Sequence, residues 1–401
     1  MSQGTHASAS SDPEEMSHNI PVILAILAMI FLVYLVIGMA MPVLPLHVHQ
    51  GLGMSTFMVG VVVGIQFAAT LISRLWAGQY TDSRGAKQAV ISGLVVGVLS
   101  GIFYLASLRF VDQPQVSISL LILGRALLGG AESFVIIGAL SWGVGLMGSQ
   151  HSGKVMAWVG MAMYAAYAIG APVGSVVYTD YGFFSISLVT ALFPFGALLL
   201  CLPLPSAAII RSTPASFLSV FGEVWVPGLG LALSSIGFGA VTTFIALLFA
   251  QQGWGMVWLA FTALSCAFIL ARLIFGHLPD RIGGAKVALV CVLIEALGQL
   301  FIWTAPWPSI ALLGAALTGF GYSLVYPAFG VEAINRIPPQ SRALAMGVYT
   351  GCLDLALGVA SPLLGLIANS GGLRAVYLTS TLVVLCSTAV AIRLLKPAVT
   401  L

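Results

Sequence analysis

Two charged side chains seven positions apart, Arg125 and Glu132, stand inside an otherwise apolar stretch of the chain. Seven residues make two helical turns, so the pair lies nearly on one helix face, about 10 Å apart along the axis. Such a pair can ion-pair through a flexed arginine or bracket a polar ligand. A charge at mid-membrane costs roughly 2.5–3.5 kcal/mol on insertion scales, which makes it a functional candidate by default. The alternative is a structural pair that locks its helix to the neighbours. Asp354, inside Gly351-Cys-Leu-Asp-Leu-Ala-Leu-Gly358, is a third embedded charge. Burial disfavours the charged form of a carboxylate, and a nearby cation favours it. An acid close to Arg125 would therefore exchange a proton as its partner moves, and Asp354 suits that role best. Glu295, in Ile294-Glu-Ala-Leu-Gly298, reads as structural, since nothing around it suggests a cavity.

The elements that must hold these charges follow from composition. Hydrophobic residues make up 59% of the 401 and charged residues 7%, against roughly 45–50% and about 25% in an average soluble domain. No soluble fold of this length could cover such a sequence with polar surface. The net charge of +3 comes from scattered basic residues, which excludes a nucleic-acid patch. A span needs about 20 apolar residues, and only helices or closed barrels satisfy their backbones in lipid. The segments are too long and too unalternating for barrel strands. The expected fold is an all-α membrane protein with twelve transmembrane helices in two pseudo-symmetric six-helix bundles. Its expected parts are a disordered tail at 1–19, one bundle at 20–204, a linker at 205–222 and a second bundle at 223–396. The first span is placed near 20–45, and the fifth and sixth near 154–178 and 181–204.

Internal repetition supports two halves. Arg74, Gly78, Asp82 and Gly85 recur in the same register as Arg272, Gly276, Asp280 and Gly283, following R-x3-G-x3-D-x2-G. Each copy closes one apolar segment and opens the next. Its glycines allow a tight turn, and its aspartates can accept hydrogen bonds from a neighbouring helix end or pair with arginine. At the membrane edge this reads as a gating motif rather than a solute site. Gly124 and Gly129 are echoed by Gly314 and Gly319, spacing that lets helices approach closely. The charges are not echoed: Arg125 matches Ala315, and Glu132 matches Tyr322. Gly170, Pro172 and Gly174, echoed around Pro362, form a helix-bend motif.

The remaining polar groups read more simply. With the amino terminus cytoplasmic, nearly all basic residues outside the spans, Arg211 and Lys396 included, fall on the cytoplasmic side. Arg109 and Arg374 are the exceptions, so both termini are expected there. His47 and His49 read as interfacial. Tyr34, Tyr164, Tyr167 and Trp158 suit either a cavity wall or packing. The five cysteines fall in apolar segments and read as packing residues. No His, Cys, Asp or Glu cluster has metal-ligand spacing, so neither a metal nor a cofactor is expected.

Taken together, these features resemble the major facilitator superfamily over essentially the whole chain after the tail, both loop copies matching its signature. The wording at Ser152-Gly-Lys-Val-Met-Ala-Trp158 and Gly330-Val-Glu332 is similar to bacterial carriers labelled YhhS-like. The resemblance implies a secondary transporter of a small sugar- or drug-like solute in the bacterial inner membrane, working as a monomer by alternating access. It implies proton-coupled efflux, with a proton symporter importing a sugar or carboxylate as the alternative. By resemblance, Asp82 and Asp280 are gate residues and Arg125 matches an arginine associated with proton coupling. Ala171-Pro172 departs from the Gly-Pro usual in antiporters, which weakens the export reading. A membrane enzyme or sensor is the remote alternative, since no catalytic grouping or output domain is evident.

Overall fold

The computed structural model describes residues 13–148, 151–206, 217–338 and 341–395. The expectations for residues 1–12, most of the linker, Arg211 and Lys396 fall outside them. The spans are α1 (Pro13–Ala40), α2 (Thr56–Arg84), α3 (Ala86–Ser107) and α4 (Pro114–Met147). The helical run Ser152–Cys201 follows, broken at Gly182 (φ 67°, ψ −167°) into α5 (152–181) and α6 (183–201). The second bundle holds α7 (Phe217–Gln251), α8 (Trp258–Phe275), α9 (Gly284–Thr304), α10 (Pro308–Ile334), α11 (Arg342–Gly371) and α12 (Leu373–Leu395). Described helix begins at Pro13 and again at Phe217, earlier than the expected 20 and 223, so parts of the expected tail and linker are helical. The boundary between the fifth and sixth spans is a single glycine with positive φ, where the sequence reading leaves a short gap.

Both ends of the described chain lie on one face, here the terminal face; the opposite one is the distal face. Helices hydrophobic all round suit burial in lipid and protein together. Accordingly Leu75, Trp76, Leu273 and Ile274 are more than half exposed on the bundle exterior. The two halves repeat in backbone as well as in sequence. Gly85 and Gly283 close the repeated tract with φ of 94° and 98°, and Gly182 and Gly372 separate the last two spans of each bundle with φ of 67° and 81°. These are conformations that a Cβ penalises. Gly124 lies against α3 and Gly314 against α9, while Gly129 meets α2 and Gly319 meets α8, so the aligned glycines make equivalent contacts.

Two departures from symmetry matter. α2 runs unbroken through its copy of the tract, whereas α8 stops at Phe275 and a short helix, Leu278–Ile282, follows. Pro279, standing where the first copy has Thr81, cannot donate to the carbonyl a turn earlier. The bend motif also splits. Gly170 and Gly174 press on the α1 backbone inside the first bundle, whereas Gly358, Pro362 and Gly365 press on α2 across the bundle boundary.

The bundles meet along two seams, α2 with α11 and α5 with α8. At the distal end they share one apolar core, in which Met39, Val43, Tyr104 and Phe183 join Phe244, Leu248 and Leu364. Towards the terminal face the first bundle has a separate core around Ile30, Leu94, Val135 and Val155, confined to itself. The two bundles thus share one apolar core, and the first bundle keeps a second to itself.

The α1–α5 contact gives a direct check. A methyl at Gly170 would lie 2.9 Å from backbone atoms of Leu35, Gly38 and Met39, whereas one at Gly160 meets nothing within 4 Å. Gly170→Ala is expected to destabilise the detergent-solubilised protein by about 1–3 kcal/mol, and Gly160→Ala to leave it unchanged or stabilise it by about 0.5–1 kcal/mol. Thermal unfolding midpoints of the two variants decide this.

Candidate functional site

The embedded charges converge on the space between the bundles, with partners that differ from the expected ones. Asp354 does not face Arg125. It pairs with Arg74 of α2, which donates from Nε at 3.0 Å and also from Nη2 to the same carboxylate oxygen. The pair crosses from one bundle to the other, with 5% of the Asp354 side chain and 19% of the Arg74 side chain exposed. Arg74 belongs to the repeated tract, yet one helical turn before Gly78 it sits deep rather than at the membrane edge. The helix face explains this, because the next two residues, Leu75 and Trp76, turn to lipid and leave Arg74 facing inward. Asp82 and Asp280 remain exposed on the terminal face.

The pair closes the inner end of the α2–α11 seam. Distally, Thr56 Oγ1 donates to the Gly365 carbonyl at 2.8 Å, and Gly60 and Gly64 lie against Ser361, Pro362 and Gly358. Beyond Arg74, Gly78 on α2 and Gly347 on α11 have open space where a Cβ would stand.

Glu132 and Arg125 share α4 and make no ion pair with each other. The Glu132 carboxylate accepts from the Tyr34 hydroxyl at 2.9 Å and from Gln66 Nε2 at 2.8 Å. Arg125, 4% exposed, makes only long hydrogen bonds, to the Val62 carbonyl at 3.4 Å and the Tyr104 hydroxyl at 3.5 Å. Tyr167 interacts electrostatically with both charges. Arg125, Gln66 and Tyr167 line a narrow cleft together with Phe238 and Thr242 of the second bundle. Tyr167 and Gln66 thus stand near both charges, and the ion pair that spacing allowed is not formed.

The second seam carries an arginine too. Arg272 lies 5.5 Å over the Phe268 ring and interacts electrostatically with the Tyr164, Tyr326, Tyr349 and Tyr322 phenols. Tyr164 of α5 stacks on Phe268 of α8 at 3.4 Å between centroids, and Thr262 Oγ1 donates to the Ala168 carbonyl at 3.1 Å. Tyr167 lines the cleft and its ring meets those of Tyr34 and Tyr164, while Trp158 packs against the inner core of the first bundle.

Other candidates lie elsewhere. Glu295 is fully buried among α7, α9 and α10, accepting from Ser234 and abutting Gly237 and Gly321, as a structural role requires. His47, expected at the interface, is buried and stacked on Phe183 at 3.8 Å. His49 rims a distal cleft of about 440 Å³ with Gln50, Gln251 and Asn369. Gln66 in the cleft, and Arg74, Arg272 and Phe268 at the seams beside it, are the residues that sequence reasoning missed. The available signal was the position of both arginines one turn inside their glycines.

Two six-helix bundles with a polar cleft between them are the arrangement found in a class of membrane carriers. The sequence matches the Major Facilitator Superfamily over residues 26–267 and 228–400, and the chain belongs to that superfamily of transporters. It is 41% identical over 358 residues to the uncharacterized MFS-type transporter YhhS of Escherichia coli K12, covering 89% of this chain and 88% of that one. An uncharacterized MFS-type transporter of Pseudomonas aeruginosa PAO1 is 41% identical over 372 residues, 93% and 92% of the two chains. The crystal structure of the nucleoside transporter NupG shares the fold at TM-score 0.74 and 13% identity, over 94% of this chain and 100% of that one. So does a bacterial homologue of the lysosomal transporter Spinster in an inward-facing and occupied conformation, at TM-score 0.74 and 14% identity, over 93% and 96%.

If Arg74 and Asp354 act as a unit, their substitutions will not add. In a double-mutant cycle of Arg74→Gln and Asp354→Asn, thermal stability in detergent is expected to give a coupling energy of about 0.5–3 kcal/mol. Additive effects would remove the pair from the account of how the seam is held.

Proposed function

We propose that this chain is a proton-coupled secondary transporter that moves a small organic solute by alternating access. One observation carries the reading: the Arg74–Asp354 pair joins the bundles at the closed end of the cleft, where an acid's charge and the seam's closure are linked. Protonation of Asp354 would remove its charge and leave Arg74 without its counter-ion. A buried cation so exposed is costly. Glu132, within electrostatic reach of both members, is the acid to which Arg74 would turn. The seam would then open on one side as the distal core closes or parts on the other. Arg125, Glu132 and Asp354 together form the polar lining that couples solute to proton, and the Asp82 and Asp280 tracts act as the cytoplasmic gate.

The terminal face is the cytoplasmic one in this reading. Arg84, Lys87, Lys154, Arg281, Lys286, Arg336, Arg342 and Arg393 cluster towards it, and Arg109 and Arg374 towards the distal face, the bias that orients membrane proteins. The bacterial relatives support the inner membrane, and the self-contained cleft supports a monomer as the working unit. Export of the solute against inflowing protons is the direction proposed. A second reading, import of a carboxylate with protons, is favoured by the surplus of arginines over acids in the cleft.

Proteoliposomes containing a pH-sensitive dye test the coupling. Screening of sugars, drugs and organic acids is expected to find a solute whose gradient moves protons, with the signal abolished by an uncoupler. Asp354→Asn and Arg125→Ala should each abolish proton movement. Solute transport whose pH dependence survives both substitutions would overturn the proposed coupling.

A further inference from the structure

The two seams are built alike except for one residue. Asp354 stands eight positions before Pro362 in α11, and the residue eight positions before Pro172 in α5 is Tyr164. Arg74 therefore meets a carboxylate across its seam, whereas Arg272 at the equivalent place meets a phenol. Among the described residues no carboxylate lies within ion-pair distance of Arg272 or of Arg125. Asp354 is already engaged by Arg74, and Glu132 by Tyr34 and Gln66. A charge removed from water without a counter-charge is strongly disfavoured. The boundary between the bundles thus holds Arg74, Arg125 and Arg272 against Asp354 and Glu132, an excess of positive charge.

What lies between those cations is aromatic. Tyr167 adjoins Tyr164 at 5.7 Å, Tyr164 stacks on Phe268, and Phe268 leads on to Tyr322 and Phe238. Flat rings bind flat rings through offset and edge contacts, and a guanidinium recognises carboxylate or sulfonate oxygens through paired donors. Gln66 Oε1, buried and without a partner, adds a hydrogen-bond acceptor to the same lining.

We propose that the cleft binds an organic anion with a flat aromatic body, its acidic group at Arg272 and its ring against the Tyr164–Phe268 wall, with Arg125 as the second cation. This deepens the proposed function, since it takes the cleft between the bundles as the solute site.

The test measures binding, with the proton-movement assay run beside it on the same solutes. Purified full-length protein in nanodiscs is titrated with 2-naphthoate, 2-naphthylmethanol, 2-naphthylmethylammonium and acetate, followed by tryptophan fluorescence and thermal shift. The expected result is binding of naphthoate, with the neutral and cationic analogues and the ringless acetate weaker by about tenfold or more. Arg272→Gln should weaken naphthoate about ten- to hundredfold. Arg272→Lys, which keeps the charge and loses the paired donors, should bind naphthoate more weakly than the unaltered protein and more tightly than Arg272→Gln, and shows that the site survives substitution at this position. Equal or tighter binding of the cationic analogue would overturn the proposal. So would naphthoate binding untouched by Arg272→Gln and by Arg125→Gln, or proton movement driven only by neutral or cationic solutes. Naphthoate binding without any coupled proton movement would count against the coupling and leave the anion site standing.

Discussion

A guanidinium held in the middle of a membrane must be answered from within the protein, because lipid offers neither counter-ion nor hydrogen-bond acceptor. This chain places three such groups near the boundary between its bundles and answers them in three ways. Arg74 has a carboxylate from the other bundle, Arg125 has a carbonyl and a hydroxyl at long range, and Arg272 has a ring and phenols. The first makes a joint between bundles, and the other two are met by uncharged groups alone at the distances given. The glycine contacts and the seams set which helices these groups meet.

Duplication supplies the frame, and divergence supplies the chemistry. Where the halves agree, as at Gly124 with Gly314 and Gly129 with Gly319, the residues bring helices close. Where they differ, as at Arg125 with Ala315, Glu132 with Tyr322 and Asp354 with Tyr164, the cleft acquires its polarity. Pro279, absent from the first copy, breaks the second bundle's tract into two helices. The bundles are therefore alike in scaffold and unlike in the parts that would sense a proton or a solute.

Much of the architecture was readable from residues alone. The repeated tract and the apolar segments anticipated the helices and the two halves, because span length and glycine register are properties of the local chain. The partners of the charges were not readable in that way. Spacing along α4 joined Arg125 to Glu132, but which helix meets which is set by packing between bundles, so Asp354 found Arg74 instead. His47 likewise looked interfacial because its stacking partner, Phe183, lies on another span. Arg74 was assigned to the membrane edge with the rest of its tract, although helical rotation within a single turn separates its inward face from Leu75 and Trp76.

The shared distal core also has an electrical consequence. Met39, Val43, Phe244 and Leu248 meet there as apolar side chains from both bundles, and close-packed apolar groups leave no room for water among them. A hydrated ion would have to part those side chains to pass between them, so packing of this kind would resist leakage of the membrane voltage.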